Sequence, residues 1–143
     1  MDGEMTLKQW VAEHPPDESA FTQSIAGIAD RHAAGEDFWI AMRELLDEFD
    51  LAPTEEIRQG AIFECPRPTG DLRYDAFLGA LAEHLAVKND LERPGWAVAH
   101  DRFLDRFWFV SEVPGFRAIA IAQSPAAFRR RGVMIASGFL HRV

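Results

Sequence analysis

A single cysteine, Cys65, stands in 143 residues. No internal disulfide can therefore staple the chain, and a lone thiol fits a reducing compartment. No apolar run approaches the roughly 20 residues that a membrane-crossing helix needs. The opening residues Met1-Asp2-Gly3-Glu4 are acidic and lack the basic region and apolar core of a signal peptide. These absences lead us to expect a soluble cytoplasmic protein that does not enter a membrane.

Motifs of chemistry are missing as well. The chain has no Gly-rich phosphate loop, and none of Ser19, Ser24, Ser111, Ser124 and Ser137 sits in a Gly-x-Ser-x-Gly elbow. Successive histidines, His14, His32, His84, His100 and His141, lie 18, 52, 16 and 41 residues apart. None shows the four-residue spacing of a helical zinc site, and Cys65 has no cysteine partner, so neither metal nor cofactor is expected. Glu83 and His84, adjacent on a helix, point about 100° apart and are poorly placed to act on one ligand. Cys65, beside Glu64, reads as inert. Carboxylate pairs such as Asp47-Glu48 and Glu55-Glu56 read as a solvated helix face rather than an acid–base couple. The expectation is a binding protein, not an enzyme.

What the chain does have is an uneven charge. Residues 1–92 carry twenty Asp and Glu against seven Lys and Arg, whereas residues 93–143 carry three acids against eight arginines. No acidic residue lies beyond Glu112. Such asymmetry speaks to partners and encounter rates rather than to fold. A pI near 5.0 argues against a protein that simply coats nucleic acid, but leaves room for a local basic patch. Four Trp, eleven Phe and 48% hydrophobic residues exclude a disordered chain.

The punctuation predicts a mostly α-helical, compact single-domain bundle of short helices over residues 1–143, ending in a short extended C-terminal segment. Residues 1–37 form a peripheral N-terminal extension in this reading. Thr6 caps a brief helix that ends at Pro15-Pro16. A second helix is expected over 18–34, closed by Gly35. Asp37 caps a third over 38–50, where Phe38, Met42, Leu45 and Phe49 form one buried stripe. Pro53-Thr54 starts a short helix over 55–59, and the prolines at 66 and 68 make residues 63–70 a loop. Thr69 or Asp71 caps a helix to about 87, with Tyr74, Phe77, Leu78, Leu81 and Leu85 on a single buried face. The two longer amphipathic helices should pack together. Phe107-Trp108-Phe109 reads as core, 116–123 as helix, Ser124-Pro125 as the capped start of a helix ended by Gly132, and 133–136 as a strand or extended arm.

Two surfaces stand out. Residues 36–56 hold eight carboxylates against one arginine, Arg43; this face either serves solubility or complements a basic groove. Glu44, Asp47, Glu48 and Asp50 are its candidate partner-binding residues. Arg129, Arg130 and Arg131 form the second candidate contact. They could pair with the acidic half of the chain, grip phosphates or touch a protein.

Several segments taken together carry a resemblance: Leu45-Leu46-Asp47-Glu48-Phe49, Leu81-Ala82-Glu83-His84-Leu85-Ala86, Arg102-Phe103-Leu104, Phe107-Trp108-Phe109 and residues 124–131. The chain from Phe38 onward resembles small bacterial proteins, common in actinobacteria, encoded beside a nucleotidyltransferase-fold protein in a presumed toxin–antitoxin pair. The resemblance implies an antitoxin-like role: a helical protein that binds and silences the neighbouring enzyme. Nucleotidyltransferase toxins act on nucleic acids, so a basic cleft is expected to receive the acidic helix. The rival expectation is a DNA-binding transcriptional regulator whose basic C-terminal segment contacts phosphates.

Overall fold

Side-chain caps set the helix starts in the computed structural model, which describes residues 21–140. The expected helix after Thr6 lies outside the described residues. Ser24 is extended, and its Oγ accepts from the Gly27 amide at 2.9 Å, so α1 spans Ile25–Ala33. That is later than expected, because the Ser24 hydroxyl holds an amide that an earlier helix start would need. Asp37 Oδ1 accepts from the Trp39 and Ile40 amides at 2.9 and 3.0 Å and starts α2, Phe38–Leu51. Thr54 caps α3, Glu55–Phe63, which runs four residues past its expected end and buries Ile62. Asp71 rather than Thr69 caps α4, Leu72–Lys88. Thr69 instead donates from its amide and its hydroxyl to Asp75 Oδ1, at 2.9 and 2.8 Å.

The largest departure from expectation concerns α4. A single buried face was read from its large side chains, yet the helix is enclosed on nearly every side: eleven of its seventeen residues are buried, Asp75 and Glu83 among them. The reason lies in its small residues. Ala76, Gly79, Ala80, Ala82 and Ala86 let neighbours approach the side that carries no bulky group. A Cβ on Gly79 would stand 3.0 Å from Arg102 Cβ and 3.1 Å from the Ala97 carbonyl. The 3-10 turns Gly95–Val98 and His100–Arg102 therefore lie directly against the helix.

α2 packs on α1, and reaches α4 through aromatic rings near its N-terminus. Phe38 stacks on Tyr74 at 4.2 Å between centroids, and Trp39 meets Phe77 edge-on at 5.1 Å. Such pairs contribute about 0.5–1.5 kcal/mol each beyond their buried area.

The C-terminal part closes over α4. Strand β1, Trp108–Phe109, pairs in parallel with β2, Val133–Met134, Trp108 lying opposite Val133. The arm expected at 133–136 is thus partly a strand. The aromatic run is core only in part: Trp108 is half-buried and packs against the core beside Trp39 and Tyr74, Phe109 is half-buried, and Phe107 is 71% exposed. A two-residue ribbon is too small to cover both faces of three consecutive aromatics. Helix α5, Arg117–Gln123, follows a 3-10 turn at Pro114–Phe116 and buries Ala120 alone.

Ser124 does not cap α6, Ala126–Arg129, as expected from sequence. Its Oγ accepts from the Ile135 amide at 2.9 Å and donates to the Ala120 carbonyl, tying the end of α5 to the residue after β2. Gly132, at φ +80°, ends the α6 turn as its sequence position suggests.

Candidate functional site

The strongest electrostatic feature is inside the protein. Glu83 projects from α4 at 5% exposure toward three guanidiniums, those of Arg131, Arg93 and Arg130. Arg131 bonds Glu83 Oε2, Arg93 lies 3.0 Å from Oε1, and Arg130 lies 3.2 Å from Oε1. The Arg131 guanidinium also donates to the carbonyls of Ala127 at 2.8 Å and Ala97 at 2.7 Å. It stands 4.8 Å from the Phe103 ring centroid as well. Burial alone would raise the Glu83 carboxyl. The hydrogen bond and charge of Arg131, with Arg93 and Arg130 behind them, outweigh burial and hold it below its ordinary value.

The arginine triplet is therefore divided. Arg131 is 0% exposed, which corrects the expectation that it meets a partner; its guanidinium is the counter-charge of Glu83. Arg130 is exposed but shares Glu83. Arg129 is exposed and turns Nη2 onto the Ile121 carbonyl at 3.0 Å, at the negative end of α5. Of the open alternatives for these residues, pairing with the acidic half accounts for Arg130 and Arg131.

The four α2 carboxylates remain at or near the surface. Glu44 is exposed and accepts from Arg31 Nη1 at 2.6 Å; Arg31 also forks onto Glu36, and these two partners raise its pKa. Asp50 is exposed, and Asp47 half-buried. Glu48 departs from the expected water-facing position: it is half-buried, and its Oε2 accepts from the Gln23 amide at 3.1 Å. Its Oε1 is buried without a hydrogen-bond partner among the described residues. Glu48 borders a cleft of about 360 Å³ between residues 21–24, α2 and α3. Arg58, also on its wall, directs its guanidinium to the Phe49 and Asp50 carbonyls that end α2.

A second hollow, about 200 Å³, is apolar. Phe109, Val110, Phe116, Ala120, Met134 and Phe139 form its walls. Arg117 stands over the Phe109 ring at 5.5 Å, and Arg43 over the Phe139 ring at 5.9 Å. Nothing in the sequence hinted at this arrangement, because its parts come from α2, β1, α5 and the C-terminal turn. The Glu83 cluster did leave a signal: a carboxylate amid Ala80, Ala82 and Ala86 lies on a helix side too apolar for a solvated charge.

Among the described residues no group of three His, Cys, Asp or Glu side chains could hold a metal ion. His32 packs edge-on against Tyr74, and His84 against Phe128. Cys65 is exposed. Among the described residues no helix is long and apolar enough to cross a membrane. No protein-family model, curated protein or solved structure matches the chain.

Proposed function

We propose that this protein is antitoxin-like: it binds and neutralises a nucleotidyltransferase-type toxin enzyme, presenting the acidic face of α2 to a basic cleft. One observation carries the reading. Among the described residues, the ion pairs from the C-terminal arginines to the acidic half all end on Glu83. Glu44 is paired instead with Arg31, and Asp50 stays exposed. Among the described residues, then, neither Glu44 nor Asp50 is paired with a C-terminal arginine, which leaves the exposed carboxylate of Asp50 and the outer side of Glu44 to act on a partner. Charge of this kind speeds encounter and sets orientation, while affinity comes from a few buried anchors. The rival reading, a DNA-binding regulator, asks Arg129, Arg130 and Arg131 to grip phosphates, and all three are engaged within the protein.

Replacing Glu44, Asp47 and Asp50 together with lysine is expected to slow association with the co-expressed enzyme about tenfold or more at low ionic strength. The rate should also lose its salt dependence, because screening acts only on the attraction that the substitutions remove. Stopped-flow association across a salt series measures both. An unchanged rate at low salt would remove the acidic face from the mechanism.

A further inference from the structure

We infer that the apolar hollow beside α5 is a docking site for an acidic amphipathic segment of a partner protein. The inference uses none of the four candidate carboxylates of α2, although Arg43 lies on that helix, and it stands without that reading. α5 is seven residues long and buries Ala120 alone. Ile119 and Ile121, on the same helix, are 41% and 54% exposed, and Phe116 on the hollow's wall is 47% exposed. A helix this short draws its stability from packing rather than propensity, so an apolar surface left open along it is suited to a partner's surface. The hollow is smaller than the roughly 300–1,000 Å³ of small-molecule sites. It accepts an anchoring side chain, and the exposed residues of α5 extend the contact along a peptide.

Charge selects the kind of segment. Arg43 and Arg117 are exposed and stand over rings that line the hollow. Among the described residues neither lies within ion-pair distance of a carboxylate, in a protein whose net charge is −8. Two exposed guanidiniums flanking an apolar hollow favour carboxylates on either side of an apolar anchor. This is helix-in-groove or strap recognition with an acidic margin.

The test is selection of a random dodecapeptide phage library on the full-length protein, with affinities of the selected peptides measured by fluorescence anisotropy. Selected sequences should place Asp or Glu beside an aromatic or aliphatic anchor. Their affinity should fall about tenfold or more on the Arg43→Glu/Arg117→Glu double variant, and on Phe116→Ser, with the circular dichroism of both variants unchanged. Absence of enrichment, neutral or basic selected peptides, or equal binding to the double variant would each overturn the proposal. So would a dimer in sedimentation that the same variants dissociate, which would make a second copy the occupant. Competition by a synthetic peptide of residues 1–20 at equal strength would assign the hollow to the chain's own N-terminal segment instead.

Discussion

Glu83→Ala is expected to cost about 3–5 kcal/mol of folding stability, because it leaves Arg131 buried without its counter-charge. That is a large part of the roughly 5–15 kcal/mol typical of a domain. Arg93 and Arg130 can turn to solvent, being about half exposed, but Arg131 at 0% cannot. The mechanism predicts a specific rescue: Glu83→Leu combined with Arg131→Met should be less damaging than Glu83→Leu alone, since no bare charge remains inside. Urea unfolding at neutral pH measures each variant. pH provides an independent check. The folded-state pKa of Glu83 is depressed, so its contribution is fully present above the unfolded value of about 4.3 and is lost as pH falls through the folded value. The stability gap between wild type and Glu83→Gln should therefore narrow as the solution is acidified below that range. A gap independent of pH would show that the carboxylate's charge is not what the arginines recognise.

Phe77→Ala should cost a similar amount, about 3–5 kcal/mol, for a different reason. Phe77 is 0% exposed and touches rings from two distant parts of the chain: Trp39 at 5.1 Å and Phe38 at 5.9 Å from one, and Phe128 at 5.2 Å from the other. These come from α2 and α6, so the ring joins elements that share little other contact. Removing it opens a cavity that neighbours on separate elements fill only by moving apart from their own partners. Phe77→Leu, which keeps most of the volume, should lose clearly less. An alanine cost below about 1.5 kcal/mol, the range of volume-conserving swaps, would mean that the rings collapse into the gap and that Phe77 is not the joint described.

Local chemistry made much of this fold legible. Asp37, Thr54 and Gly132 act as their positions suggest, because a cap or a left-handed turn depends on a few neighbouring atoms. Ser124 shows the limit of such reasoning. Its place before proline suits a cap, but the Ile135 amide, eleven residues later, takes its hydroxyl. The interior of α4 was hidden for a related reason: alanine and glycine contribute no periodic signal, yet they decide which side of a helix another segment can approach. At the candidate surfaces, the α2 acids were visible as a cluster, though Glu48's half-burial was not, since it follows from where residues 21–24 lie. Arg131 illustrates the hardest case. Three consecutive arginines look alike in sequence, and only the position of Glu83, 48 residues earlier, distinguishes the one that goes inside.

That separation has a consequence for biosynthesis. Glu83 leaves the ribosome before any of the arginines that neutralise it, and Arg131, the one it depends on most, is made last of the three. Until then the middle of α4 holds an ionised group that resists desolvation, so the neighbouring helices cannot close around it at full strength. Full closure around α4 is therefore expected to wait for the segment that carries Arg131.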